Sequence, residues 1–498
     1  MIKKTSRTSQ AGLGALFCLV ATGCAQNQAK EEETQTQQPA PKPAKIAMKL
    51  AAPQPTLKMN GPLTTKTVAG PAWAKNQPIY EVNWDVYGFP KGAAFREYEK
   101  HLPVLKRLGV GLIWLMPIYP RGHKKGFGSP YSVRDYVDVN PDLGTKAEFK
   151  HLVESAHKLG LHILLDWVPN HTAWDNALIT SHPEFYAKDA KGEIVQAGAW
   201  PDVAQLDYGK AGQWNQPLWN TMRDNMEYWI RTFNVDGFRC DVAGNNGKVP
   251  LAFWTWLRPQ LEAVKPLFML AESDNVELHP AFDMTYSWNL PPTMWGVCAG
   301  RQPATDIDGA LGWEATHFPA GSVRMRFLDN HDWHPHADWD WGKNPVVDTS
   351  KGLPQVAPMM VLCTTVPGKP LIYNGQEMSF LKVNPPLQAE ARLKSPVWPF
   401  YSRLMQLYQS QPAVFEGSFT RIVSNHDDKV YAFVRQSGQN RVVVVVNLSD
   451  QVQNTTLKDA SLTGAYLDWF GNKNVKLSAA PSLNLAPWAY LVYVGRTK

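Results

Sequence analysis

Long apolar runs, cysteine pairs and strong charge of either sign are all scarce in this 498-residue chain, and each scarcity excludes a class of function. The apolar run from Ala11 to Val20 is too short to cross a bilayer as a finished helix. There are five cysteines. Cys18 and Cys24 belong to the N-terminal segment, and Cys240, Cys298 and Cys363 are too widely spaced for a disulfide framework or a zinc site, so they read as buried thiols. The formal charge is +6. Lys3, Lys4 and Arg7 carry three of those charges, which leaves about +3 scattered over the remainder and excludes nucleic acid as a partner. The loop "YPRGHKKGFGSP" lacks the acidic spacing of a calcium loop.

What the chain does have begins with an export signal: Lys3, Lys4 and Arg7, the apolar run, then "ATGC" ending at Cys24. Small residues before a cysteine resemble the bacterial lipoprotein cleavage box. Residues 1–24 are thus expected to be a lipoprotein signal, with Cys24 lipidated as the only membrane attachment and the protein held at the cell envelope. Residues 25–72, rich in Gln, Pro, Lys, Glu and Ala, cannot offset the entropy of ordering and read as a tether. The 20 tryptophans suit both core packing and stacking on sugar rings, with core packing expected for most.

From residue 79 onward, short apolar stretches alternate with helical ones. "IYEVNWDVY" and "VGLIWLMPIY" flank a helical stretch with Phe95, Tyr98, Leu102, Leu105 and Leu108 on one face. "TKAEFKHLVESAHKLG" repeats that period and stops at Gly160, before "LHILLDW". "VDGFRCDV", "LFMLAE", "FDMTYS", "VRMRFLD" and "PLIYNG" bring the strands to eight. The expected architecture is an α/β fold: a (β/α)8 barrel over residues 73–411, a short insertion at about 172–215 after the third strand, and an antiparallel β-sandwich over 412–498.

Polar residues collect where these strands end, which is where a barrel carries its chemistry. In "GFRCDVAG", alternation turns Phe238, Cys240 and Val242 toward the helices and Arg239 and Asp241 toward the barrel interior. A guanidinium beside a carboxylate favours its ionised form, as a nucleophile requires, although an ion pair of structural purpose has the same composition. Three further clusters accompany it: Asp166, Asn170 and His171 in "DWVPNH", Glu272 in "LAES", and His331 and Asp332 in "FLDNHD".

With these four clusters in this order, the chain resembles the α-amylase superfamily, glycoside hydrolase family 13, over nearly all of residues 73–498. The resemblance implies a retaining hydrolase in which Asp241 is the nucleophile, Glu272 the general acid and base, and Asp332 the third carboxylate. It implies that Arg239 orients the nucleophile, that His171 and His331 hydrogen-bond the sugar, and that Tyr131 of "GSPYSVRDY" stacks on it. Asp166, Asn170 and, in the looser "AQLDYG" motif, Asp207 take bracing roles. The implied substrates are starch-like α-1,4-glucans or malto-oligosaccharides. An α-glucosidase, an α-glucan transglycosylase and a non-catalytic glycan-binding lipoprotein are the alternatives. No cofactor is required. In some members the counterpart of Asn170 binds calcium, which makes Ca2+ a possible ligand, but Gly244 and Asn245 stand where many members carry Lys and His, which counts against both the calcium site and the leaving-group subsite. The run "HDWHPHADWDWG" has the composition of a metal site in His334, His336, Asp338 and Asp340. It reads better as a substrate loop with Trp333, Trp339 and Trp341 as platforms.

Overall fold

The computed structural model describes residues 67–68, 70–244, 248–332, 354–379 and 388–496. The signal with Cys18 and Cys24, most of the tether, Asn245, and Trp333, His334, His336, Asp338, Trp339, Asp340 and Trp341 lie outside the described residues. Among those described, no helix is long and apolar enough to cross a membrane.

Eight parallel strands close into a barrel: β1 (Ile79–Val82), β2 (Leu112–Leu115), β3 (His162–Trp167), β4 (Gly237–Cys240), β5 (Phe268–Ala271), β6 (Met284–Tyr286), β7 (Val323–Arg326) and β8 (Lys369–Tyr373). Each pairs with its neighbours in the chain, and β8 closes on β1 with Leu371 opposite Ile79. Most strand positions are apolar because both faces are buried; among the exceptions, Arg324 and Arg326 of β7 pair with Glu314. Ile79, Leu112, Leu164, Leu270 and Leu371 fill the interior, whereas Tyr80, Ile113, Ile163, Phe238 and Ile372 pack outward on the helices.

The helical elements follow local signals. Helix Lys146–Lys158 starts with a capping box: Thr145 Oγ1 accepts the Glu148 N–H at 3.2 Å, and Glu148 Oε2 accepts the Thr145 N–H at 2.8 Å. The stretch expected to be one helix from Phe95 to Leu108 is two, Ala94–Glu99 and Leu102–Leu108. Pro103, in the first turn of the second, has no N–H to donate back into the first. The five apolar side chains are buried all the same.

After β3 the chain leaves the barrel to form a three-stranded antiparallel sheet (His171–Ala173, Gln196–Ala197, Trp200–Gln205) and a short hairpin, before returning through helix Gln216–Phe233. The C-terminal region holds eight antiparallel strands: β9 (Ser418–Ile422), β10 (Val430–Ser437), β11 (Asn440–Asn447), β12 (Gln453–Thr456), β13 (Gly464–Asp468), β14 (Lys473–Leu477), β15 (Ser482–Leu485) and β16 (Tyr490–Arg496). Six form one sheet in the order β9-β10-β11-β16-β13-β14, and β12 pairs with β15. The valine run of β11 is unbroken because Val443 and Val445 pack within this region while Val442, Val444 and Val446 pack in the large cluster that covers the barrel.

Candidate active site

The site is built on the ends of β3, β4 and β5. Gly237 begins β4 where the chain passes so close to β5 that an added Cβ would lie 1.8 Å from the Phe268 carbonyl oxygen, so only glycine fits. Arg239 is in register with Asp166 of β3 and with Leu270 of β5. The ladder runs one residue past the strands: the Asp241 N–H donates to the Trp167 carbonyl at 2.8 Å and the Glu272 N–H to the Cys240 carbonyl at 3.0 Å. Asp241 and Glu272 are thereby set side by side at the mouth. Phe238 and Cys240 face the helices, and burial pushes the Cys240 thiol well above its usual range, as suits a packing residue.

Arg239, fully buried, binds three carboxylates. Its Nη1 lies 2.9 Å from Asp166 Oδ1 and 2.8 Å from Asp241 Oδ1, and its Nη2 lies 2.9 Å from Glu272 Oε2. Nε donates to the Tyr286 hydroxyl at 3.2 Å, and the guanidinium sits 4.9 Å from the centre of the Trp114 ring. Removing this cation leaves three carboxylates crowded in a dry site. We expect Arg239→Met to lose about 3–5 kcal/mol of unfolding free energy, measured by urea denaturation; an unchanged stability would show that the cluster is not held by this charge.

One guanidinium cannot neutralise three carboxylates, and burial favours the protonated form of each. Burial, opposed by Arg239, raises Asp166 and Asp241 to about 6. Glu272 goes further, to about 8, because burial is joined by the charges of Asp241 and Asp332. Near neutral pH the pair therefore holds an ionised Asp241 beside a protonated Glu272, the division of labour that two-carboxylate glycoside chemistry needs. The strand alternation expected to reach Val242 ends at Cys240, and Val242 sits at φ +45°, a costly conformation for a β-branched residue. The turn aims the Val242 N–H at Glu272 Oε2, 2.8 Å away, leaving Oε1 free to carry a proton.

A second cluster adjoins the first. His331 Nε2 lies 2.6 Å from the Tyr131 hydroxyl and 3.3 Å from Asp332 Oδ2, and its ring stacks on Tyr131. Tyr131 donates to Asp166 Oδ2 at 3.0 Å, as does Trp114 Nε1, which joins the two clusters through Asp166. The structure thus brings Tyr131, Arg239, Asp241, Glu272, His331 and Asp332 together. The Asp332 side chain, 46% exposed, is the most open of the three proposed acidic groups. His171, on the first strand of the insertion, lies against Asn170, the Trp200 ring and the Tyr131 main chain; burial lowers it to about 4, so it is neutral. Asp207 closes a turn by accepting the Gly209 N–H, and Asn170 Oδ1 accepts from Gln205, both bracing contacts.

Two features escaped the sequence reading. Glu81 of β1, wholly buried, places Oε1 2.6 Å from His331 Nδ1; its one signal was an acidic residue in an apolar strand. Gly244 is packed so that an added Cβ would lie 2.7 Å from Leu278 and 3.0 Å from Ser273 Oγ, so a side chain here, where many family members carry lysine, would require those two side chains to shift. Among the described residues, no group of three or more His, Cys, Asp or Glu side chains is arranged to hold a metal ion.

Comparison with known proteins agrees with this fold. The family model for the α-amylase catalytic domain matches residues 98–192, and that for the maltogenic amylase C-terminal domain matches residues 420–492. Alpha-amylase 2 of Dictyoglomus thermophilum is 24% identical over 455 residues, covering 82% of this chain and 75% of its own length. The maltogenic alpha-amylase of Bacillus acidopullulyticus is 24% identical, covering 70% of this chain and 62% of its own. Among solved structures, a noncanonic maltogenic alpha-amylase from Thermotoga neapolitana superposes with a TM-score of 0.75 at 28% identity, covering 85% of this chain and all of the other. The alpha-amylase of Lactobacillus plantarum gives 0.71, also at 28% identity, covering 85% of this chain and 99% of the other. A closed parallel barrel with acidic clusters at its strand ends, followed by an antiparallel C-terminal region, therefore belongs to a glycoside hydrolase similar to the α-amylases.

Proposed function

We propose that the protein hydrolyses α-1,4-glucosidic bonds in starch-like glucans or malto-oligosaccharides with net retention at the anomeric carbon. The observation that carries this reading is the hold of Arg239 on both Asp241 and Glu272 through the two nitrogens of one fork. Two carboxylates that share one guanidinium are held close together, which supports the narrow spacing of a retaining enzyme over the wider one that an inverting enzyme needs for its water. Asp241, ionised and 9% exposed at its side chain, attacks the anomeric carbon while Glu272 protonates the departing oxygen. Glu272 then takes a proton from the water that releases the sugar. Asp332, Tyr131 and His331, gathered in one cluster beside this pair, would bind the hydroxyls and face of the ring being cleaved. Structures of relatives with bound maltose and maltotriose support an α-glucan as the ligand class.

Product analysis on maltohexaose with anomeric detection tests the reading. Internal cuts that first release α-anomers are expected. Release of β-anomers, or no cleavage of this or other α-glucosides by the folded protein, would overturn it. Glucose as the sole early product would turn the reading to an α-glucosidase, and products longer than the substrate would turn it to a transglycosylase.

A further inference from the structure

We propose that Glu81 is a positioning residue of this site: from the end of β1 it keeps the His331 ring doubly protonated, with Nε2–H presented to the side formed by Tyr131 and Asp332. The proposal rests on the reading of Asp241, Glu272 and Asp332 as groups that act on a sugar.

Both ring nitrogens of His331 face acceptors. On one side, Glu81 Oε1 takes Nδ1–H at 2.6 Å and the His331 main-chain N–H at 3.2 Å. On the other, Nε2 meets the Tyr131 hydroxyl at 2.6 Å and Asp332 Oδ2 at 3.3 Å. A neutral imidazole carries one N–H and would leave one of the two carboxylates facing a lone pair; an imidazolium satisfies both. Among the described residues, the remaining groups against the ring are Trp114 and, more distantly, the charges of Asp166 and Arg239. Burial alone would lower the imidazolium's proton affinity, but Asp332 and Glu81 outweigh it and raise His331 to about 9.

The pairing also accounts for Glu81 itself. It is wholly buried, and among the described residues its Oε2 has no hydrogen-bond partner. An acidic group in that place is costly unless a nearby cation compensates it, and its ion-pair partner is His331. The ring orientation is then fixed by a contact made behind it, on the barrel side, so that substrate can meet a fixed donor.

Nuclear magnetic resonance of the full chain labelled with 15N-histidine, with His331→Asn to identify the signal, tests this directly. In the wild type His331 is expected to be an imidazolium at pH 7.5. In Glu81→Gln its proton affinity is expected to fall at least tenfold, and kcat/KM on maltohexaose to fall with it, by about tenfold. Because Glu81 acts through His331, adding Glu81→Gln to His331→Asn should cost nothing further. A neutral His331 in the wild type, an unchanged titration in Glu81→Gln, or full additivity in the double variant would each overturn the proposal. The wild-type titration needs no variant to fold. It needs no turnover either, so a protein that fails to cleave glucans while His331 titrates as expected would overturn the hydrolase reading alone.

Discussion

Asp241→Asn should yield a folded protein that still binds maltohexaose but turns it over at least about 10⁴-fold more slowly. The amide keeps the shape of the carboxylate and an oxygen for Arg239 Nη1, 2.8 Å away in the parent protein, so the mouth keeps its form. It removes the negative charge that makes the oxygen nucleophilic enough to form the glycosyl bond, a neutral amide being a weak nucleophile. Binding retained with turnover lost is the outcome to look for by calorimetry and reducing-end release. A variant as active as the parent would assign the nucleophile elsewhere and favour a non-catalytic or differently catalysed glycan site. Thermal stability should not fall, because one of three carboxylates crowded on a single guanidinium has become neutral.

Glu272→Gln should slow turnover of maltohexaose by roughly 10²–10⁴-fold and change the pH profile. In the parent protein the coupled pair titrates near 6 and 8: below the first value Asp241 takes up a proton, and above the second Glu272 loses one. Activity is therefore expected to peak between about pH 6 and 8 and to fall on both sides. The glutamine cannot lose a proton, so the alkaline limb due to Glu272 should vanish while the acid limb remains. An α-glucosyl fluoride, whose leaving group needs no proton, should recover a large part of the rate of the first step. Equal losses on fluoride and on maltohexaose would mean that Glu272 does not serve as the acid.

Legibility differed from one part of the molecule to the next. All eight barrel strands can be read from the sequence because a strand buried on both faces is mostly apolar, as in "LHILLDW" or "LFMLAE", and keeps its period of two where it carries charge, as in "VRMRFLD". Their ends are less legible. "VDGFRCDV" runs on as a strand by composition, but the strand ends at Cys240 and the ladder at the Asp241 N–H, because the turn at Val242 serves Glu272 on the neighbouring strand end. The break between the two helices near Pro103 was written in the sequence, in a proline that a face-by-face reading of apolar spacing passes over.

The same division runs through the site. The residues themselves, Asp166 and Arg239, Asp241, Glu272, His331 and Asp332, are legible because charged groups at the ends of apolar strands are hard to explain by packing. Their pairings are not. That one guanidinium holds Asp166, Asp241 and Glu272 follows from the register of β3, β4 and β5, and so does the order of their proton affinities. Glu81 and His331 are 250 residues apart and meet only because barrel closure brings β1 beside the loop after β7. The packing of Gly244 against Leu278 and Ser273 is likewise invisible in a string that shows only a missing lysine. By itself the sequence determined the architecture and the chemical kind of each group, because burial selects residue types along a strand. Only the tertiary structure decided which charge faces which, because hydrogen-bond partners and dielectric surroundings are properties of neighbours in space.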